Sequence, residues 1–208
     1  MARINSKQLM VDIMSNPRVL KKEAEKIARR EVFTPAVRAL QIDFESSPVT
    51  AEIKEGVGAQ NYSNSLLGYF KEDYGKNLYS FIGFTEGDPT NVIRTSLSEN
   101  SPSGPKLKYS KMDRKRGRFE FVVRGPNLES IYAQTPMPWA NGISWASRIE
   151  RGISGLSNFL NRKGLKNSRS GGGIQIKNRI LRTGRYQRQP YLRGMVRKFF
   201  SRVTRVTR

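Results

Sequence analysis

The chain has 208 residues, of which 37% are hydrophobic and 10% aromatic, so it can bury the core of one domain, and a chain disordered throughout is excluded. Its 38 Lys and Arg outnumber its 17 Asp and Glu and give a net charge of +21, for which a polyanion is the natural partner. It contains no His and no Cys, which excludes Ser–His–Asp and Cys–His catalytic sites and nearly all structural zinc sites.

The positive charge is concentrated in the C-terminal part of the chain. Residues 151–208 contain 16 Lys and Arg and no acidic residue, whereas the first 150 residues carry a net charge of +5. This distribution is typical of a nearly balanced body followed by a polycationic end. We therefore predict an α+β assembly domain over residues 1–160 and a polybasic C-terminal extension with a short amphipathic helix over residues 161–208.

A long amphipathic helix is predicted near the start of the body, after the cap residue Asn16 and a proline at the first helical position. Pro35 is expected to kink this helix or to start a second one with Thr34 as its cap. We expect the helix to end near Ser46-Ser47-Pro48. Its apolar residues recur at three- and four-residue spacing, and they are Leu20, Ala24, Ile27, Ala28, Phe33, Val37, Leu40 and Phe44.

Two strands are predicted after this helix. Val49, Ala51 and Ile53 alternate with polar residues, which is typical of a half-buried strand. The apolar and aromatic run over residues 78–84 predicts a strand of the core.

A short helix and a hairpin are predicted next. Asp88-Pro89 repeats the signal of a cap followed by proline, and the helix it opens places Val92, Ile93 and Leu97 on one side. Residues 106–112 and 118–124 predict paired strands, because apolar residues alternate in the second of them. The hairpin they form is strongly basic.

In the last third, helices are predicted over residues 145–160 and 192–203, with an extended segment near residues 174–180 between them. The order of elements predicts an α+β fold. We expect a long N-terminal amphipathic helix, a small mostly antiparallel sheet with a protruding basic hairpin, further helices and a basic C-terminal extension.

One carboxylate pattern could serve catalysis. Asp43 followed by Glu52-Ile53-Lys54 on a strand is how some nucleases bind a divalent metal and position a water. The alternative is that Asp43 ends the helix while Glu52 and Lys54 form the solvent face of the strand. Because motifs this short also arise by chance, we expect the protein not to be an enzyme and to have no catalytic, metal or cofactor site.

Regularly spaced cations are the candidates for binding a polyanion. They suit a row of phosphates, and since the chain has no recognised sequence-reading module, we expect contact with the backbone rather than with bases. The glycines Gly171-Gly172-Gly173 among them either cradle a phosphate or form a plain flexible loop. The expected polyanion-binding residues are Arg162, Lys163, Lys166, Arg169, Lys177, Arg179, Arg182, Arg185 and Arg188, with Arg114, Lys115 and Arg116 in the hairpin.

Large apolar residues are the candidates for contacts between subunits. Trp139 and Trp145 could stack on a base, but tryptophans are usually anchors of a core or of an interface. The long helix also carries more apolar surface than a small sheet covers. We predict that Trp139, Trp145, Phe33 and Val37 contact neighbouring subunits.

Three segments of the chain resemble virion proteins of tailed bacteriophages. They are the long N-terminal helix running into Asp43-Phe44-Glu45-Ser46-Ser47-Pro48-Val49-Thr50, the segment Gly75-Lys76-Asn77-Leu78-Tyr79-Ser80-Phe81-Ile82-Gly83-Phe84, and the helix predicted over residues 145–160. The group that they resemble is the neck or tail-completion proteins, which join the DNA-filled head to the tail as a ring of identical subunits.

The resemblance implies an α+β subunit with a long helix, a small sheet and a protruding loop. It also implies a homo-oligomeric ring around a channel for double-stranded DNA, with portal or connector and tail proteins as neighbours. The protein would then be made in the host cytoplasm and located in the neck or tail of the virion. The chain departs from this pattern in its polycationic C-terminus, which could clamp DNA or a neighbouring subunit.

Two other functions stay open. A ribosomal or other basic RNA-binding structural protein would also be small, basic and cysteine-poor, although the regular apolar spacing of residues 192–203 favours a packed helix over an extended thread. The weaker alternative is the metal-dependent nuclease. No membrane partner is expected, because no apolar run approaches the roughly 18 residues needed to span a bilayer and the first ten residues lack the apolar core of a secretory signal.

Overall fold

The computed structural model describes residues 17–67, 77–113, 118–138, 140–152, 158–161, 174–177 and 185–206. The helices in these parts of the chain are α1 (Pro17–Ala28), α2 (Thr34–Glu45), α3 (Pro48–Glu55), α4 (Leu78–Ile82), α5 (Asn91–Ser96), α6 (Leu128–Ala133), α7 (Trp145–Arg151) and α8 (Leu192–Val206). The strands are β1 (Leu66–Leu67), β2 (Lys106–Asp113), β3 (Arg118–Arg124), β4 (Pro136–Met137), β5 (Ala140–Ser144), β6 (Asn158–Asn161), β7 (Ile174–Lys177) and β8 (Arg185–Tyr186). Each strand pairs with one antiparallel partner, as β1–β8, β2–β3, β4–β5 and β6–β7. The fold is α+β, as predicted.

The long N-terminal helix is continuous from α1 to α2 through a π-helical turn, Arg29–Phe33. Pro35 has no N–H to donate to the carbonyl of Glu31, and its ring crowds that carbonyl, so the helix must widen locally or break. It widens. The N–H of Thr34 donates to the carbonyl of Arg29, five residues back, and Thr34 itself is helical at φ −62° and ψ −42° rather than acting as a cap.

The strand predicted around Val49 is wrong, because this segment is the helix α3. Ser47 is extended at φ −67° and ψ 129°, and Pro48 follows at the first helical position, which is a helix start. The buried side chains of the segment follow helical spacing rather than alternation, and they are Val49, Thr50, Glu52 and Ile53.

The core strand predicted over residues 78–84 is also wrong, because residues 78–82 form the helix α4. The side chain of Asn77 caps it by accepting the N–H of Ser80 at 2.9 Å, and Gly83 ends it in the left-handed conformation at φ 96°. Leu78, Tyr79, Phe81 and Ile82 are all buried. A short helix buried on all sides has the same unbroken apolar run as a buried strand.

The hairpin and the short helix α5 are confirmed. β2 and β3 pair in antiparallel register from Lys106 opposite Arg124 to Asp113 opposite Arg118, with an irregularity between Tyr109 and Lys111.

The helix α5 begins at Asn91 after Thr90, rather than at Pro89. Ile93 and Leu97 are buried, as expected, whereas Val92 is 38% exposed and does not share their side.

The helix predicted over residues 145–160 is shorter than expected. α7 ends at Arg151, before Gly152 at φ 103°, and residues 158–161 are the strand β6, paired with β7. Ile174 and Ile176 lie in β7, as the expected extended segment requires.

The last helix belongs to the packed body. α8 lies against α2, with Leu192, Met195 and Phe199 in the same buried cluster as Phe44. Just before it, Tyr191 is fully buried and its hydroxyl shares a 3.0 Å hydrogen bond with Thr50. Because β8 also pairs with β1, residues 185–206 complete the core rather than extend from it.

Candidate polyanion interface

Most acidic side chains in the described part of the chain are bound to the protein itself. The carboxylates that form ion pairs there are Glu25, Glu31, Asp43, Glu45, Asp88, Glu99, Glu120 and Glu150. In one of these pairs the Arg94 guanidinium, hydrogen-bonded to Glu45, lowers the pKa of that carboxyl. Because most carboxylates of the described part already pair with cations of the same subunit, few remain there to neutralise the other cations on the surface.

Glu52 is a structural carboxylate. It lies on α3 with no exposed surface, and its two oxygens accept the backbone N–H groups of Ser63 at 2.9 Å and Leu78 at 2.6 Å. A buried carboxylate is stabilised by such charge-assisted hydrogen bonds. The interpretation of Glu52 as part of the solvent face of a strand is therefore wrong.

Asp43, the other carboxylate of the proposed metal pattern, also serves the fold. Its two oxygens accept from Arg202 of α8 at 2.7 and 3.0 Å, and this hydrogen bonding raises the pKa of the guanidinium. Within the described residues, no three potential metal-ligating side chains come together.

The outer face of the hairpin β2–β3 presents cations. Exposed and half-buried side chains alternate along β3, and the exposed ones are Arg118, Glu120, Val122 and Arg124. Of these, Glu120 pairs with Lys111 of β2. On β2, Lys108 is exposed and lies opposite Val122. A two-stranded ribbon with such a face is a good probe for phosphates because its cations are held on a regular frame.

The exposed face of α8 also presents cations. Met195, Phe199 and Val203 point into the core, whereas Arg197 and Lys198 are exposed. The end of the hairpin lies directly against this helix, since a Cβ built on Gly125 would come within 2.9 Å of the Phe200 ring.

We group the exposed cations of these two elements as one candidate site and call them the basic surface. Its members are Lys108, Arg118, Arg124, Arg197 and Lys198. Across the residues that the structure describes, none of the five has an acidic partner. Cations free of internal pairing can exchange their counterions for phosphates.

Helix α1 adds further charge beside the hairpin. The Nζ of Lys21 lies 4.2 Å from the centre of the Tyr109 ring, a cation–π contact that joins α1 to β2. Lys22 and Lys26 on the same helix are exposed.

Of the polyanion-binding residues predicted from the sequence, Arg188 is described and exposed. Its side chain lies over Gly152, where an added Cβ would come within 3.1 Å of the Arg188 Nε. Lys177 and Arg185 lie in β7 and β8, but their side chains are outside the described part. The remaining residues of that prediction, which lie outside the described residues altogether, are Arg114, Lys115, Arg116, Arg162, Lys163, Lys166, Arg169, Arg179 and Arg182.

Three of the predicted interface residues have a different role. The exposed fractions of Phe33, Val37 and Trp145 are 0%, 5% and 2%. The ring of Trp145 packs edge-on against Phe84, with ring centres 5.6 Å apart. Side chains buried in the subunit's own core cannot contact a neighbour, so the interface prediction is wrong for these three. Trp139 lies outside the described residues.

The members of the basic surface were missing from the predicted site because the prediction followed the density of charge along the chain. Alternation in β3 and the amphipathic pattern of α8 carry the signal that would have found them. Each pattern separates a core face from an exposed face, and the cations on the exposed face are the ones that can bind a polyanion.

No helix in the described ranges is both long and apolar enough to cross a membrane. Comparisons with protein-family models, with curated proteins and with solved structures found no match to this chain.

Proposed function

We propose that the protein is a structural virion protein of a tailed phage, forming a ring in the neck and holding double-stranded DNA by its backbone. The observation that carries the proposal is the basic surface, five exposed cations without acidic partners in the described structure, on a body whose carboxylates are mostly paired. The likeness of the sequence to neck and tail-completion proteins supports the ring and the location in the virion.

Contact with the phosphate backbone suits the chemistry of this surface. Lysine and arginine neutralise phosphates with little demand on geometry, and they do so on any sequence. A protein that holds DNA within a channel needs this tolerance, because the sequence that faces it varies.

The DNA claim is tested by removing three of these cations. We expect Arg124→Gln/Arg197→Gln/Lys198→Gln to weaken binding to two unrelated duplexes equally, by about tenfold or more. The matched control is Arg38→Gln/Lys54→Gln/Arg188→Gln, which removes the same charge from exposed cations outside the basic surface and should cost much less. Equal losses of affinity in both variants would mean that DNA binding depends on the net charge of the protein and not on the basic surface. A clear preference for RNA over duplex DNA would favour the RNA-binding alternative.

Point substitutions are required here, because truncation would remove the fold along with the charge. A chain ending before Arg179 lacks Tyr191, Leu192 and Phe199, all of which are at most 1% exposed. Loss of α8 would therefore expose the core.

The ring claim is supported by the surface of α1. None of its described side chains is fully buried, and Ile27 is 51% exposed. We expect mass photometry of the purified chain, with and without DNA, to show a closed oligomer that Ile27→Glu weakens. Val92→Glu, at an apolar residue 38% exposed on α5, is the matched control. A strictly monomeric wild-type chain at every concentration, and with DNA, would contradict the ring.

A further inference from the structure

A second cationic surface lies along the bent helix. An open depression of about 610 Å³, which we call the groove, lies along one face of this continuous helix from Lys26 to Ile42, and its lining includes four cations and no acid. Lys26 and Arg38 among these cations are exposed and have no acidic partner in the described part of the chain. Arg29 and Arg30 are paired with glutamates.

The groove differs from the basic surface in its apolar content. Pro35, Ala39 and Ile42 line it, and they recur with Arg38 at the spacing i, i+3, i+4 and i+7 that places residues on one face of a helix. Ile42 is 58% exposed, although it is a large aliphatic side chain. This face is separate from the core face of α2, which carries Val37, Leu40 and Phe44.

We propose that this groove binds an acidic amphipathic helix of a partner protein. A phosphate backbone offers nothing apolar to cover Ile42, whereas an amphipathic helix supplies apolar residues for the groove and carboxylates for its cations. Every charged residue in the lining is a cation, so charge complementarity favours an acidic partner.

A second copy of this chain fits the groove poorly. Beyond the bent helix itself, no helix in the described residues carries more than two acidic residues, and one of the two on α3, Glu52, is buried. The charge of the other helices therefore favours a different protein as the partner, and pairing with the bent helix of a second copy is an outcome that the test distinguishes. The inference goes beyond the proposed function and does not depend on DNA binding.

The test uses the full chain and a labelled synthetic peptide whose leucines lie on one helical face and whose other positions are mostly glutamate. A peptide of the same composition with its leucines scattered is the control probe. We expect the amphipathic peptide to bind at least about tenfold more tightly, and Ile42→Ser to weaken it by about tenfold, since the apolar contact of a large aliphatic side chain is lost. Arg38→Glu should weaken it further.

Matched controls place the same changes on the hairpin. Val122→Ser, at a residue 47% exposed, and Lys111→Glu, at an exposed cation outside the basic surface, should leave the affinity for the peptide unchanged. Equal binding of the two peptides, or binding that Ile42→Ser does not weaken, would overturn the proposal. The groove would instead bind DNA if duplex DNA displaced the peptide and Arg38→Glu abolished the binding of that DNA. It would bind a second copy of the chain if Ile42→Ser abolished self-association. Either result would also overturn the proposal.

Discussion

At the scale of single residues, two buried polar side chains hold the turns around α3 and α4. Glu52 accepts the N–H groups of Ser63 and Leu78. Asn77, 1% exposed, donates its amide group towards the carbonyls of Gly56, Val57 and Ala59 at 3.2, 3.1 and 2.7 Å. Buried polar groups need hydrogen-bond partners, so these contacts fix the path of the backbone after the end of α3 and at the start of α4.

Replacing Glu52 tests this role against catalysis. We expect Glu52→Gln to lower the free energy of unfolding by about 1–3 kcal/mol, because the amide keeps one acceptor oxygen and turns a donor towards a backbone N–H. Urea unfolding measures the loss, and Glu55→Gln on the same helix, at an exposed site, should cost less than about 0.5 kcal/mol. Metal-dependent DNA cleavage by the wild-type chain that Glu52→Ala abolishes, with unchanged stability, would restore the nuclease alternative.

The sequence could not reveal the role of Glu52. Alternation around Val49 predicts a strand, on which Glu52 would face solvent, whereas the start signal of Ser47-Pro48 sets a helix that turns it inwards. The partners of its carboxylate, the N–H groups of Ser63 and Leu78, are 11 and 26 residues away. Contacts at such separations depend on tertiary packing.

At the scale of elements, the sequence predicts best where a pattern is long. The amphipathic repeat of α8, the alternation of β3 and the apolar stripe of α2 all mark the face that the structure buries. The helix α4 has five residues, all but Ser80 buried, so no periodicity distinguishes it from a strand. The end of α7 is set by Gly152, but the apolar spacing continues beyond it.

The link between Asp43 and Arg202 tests how α8 is held on α2. We expect a double-mutant cycle with Asp43→Asn and Arg202→Gln to give a coupling of about 1–2 kcal/mol, since the pair is bidentate but partly exposed to solvent. The pair Arg30–Glu31, with side chains 69% and 56% exposed, is the matched control and should give less than about 0.5 kcal/mol. No coupling between Asp43 and Arg202 would mean that apolar contacts alone hold α8.

At the scale of the whole molecule, the stability should fall in alkaline solution. Burial raises the pKa of Tyr132 to about 12 and raises the pKa values of Tyr186 and Tyr191 as well. The folded state keeps these phenols neutral, whereas the unfolded chain ionises them near pH 10. The stability that they contribute is therefore complete below about pH 10 and is lost as the pH rises towards the folded pKa values.

Urea unfolding at increasing pH, with tyrosinate absorbance, measures this loss. We expect a decline of up to roughly 1.4 kcal/mol per pH unit for each of the three tyrosines above about pH 10. Tyr191→Phe should reduce the slope of the decline, although it also loses the hydrogen bond to Thr50. A free energy of unfolding that stays level from pH 9 to pH 12 would show that these phenols are not buried as described.

The distribution of charge over the molecule is the feature that bears most directly on function. A net charge of +21 was evident from the sequence, but the sequence alone does not say which cations are paired. The structure shows Arg193 and Arg202 of α8 bound to carboxylates, while Arg197 and Lys198 of the same helix are exposed. Proximity in the fold, rather than charge density along the chain, separates the two groups.

The salt dependence of duplex binding tests the central claim most directly. Binding through phosphates releases counterions, so the logarithm of the affinity should fall linearly with the logarithm of salt concentration, with a slope of about −0.9 for each phosphate neutralised. We predict that Arg124→Gln/Arg197→Gln/Lys198→Gln gives a shallower slope than the wild-type chain, by about 0.9 for each cation that contacts a phosphate, and by the same amount on two unrelated duplexes. An unchanged slope and affinity would show that the basic surface does not contact DNA and that the proposed function is wrong.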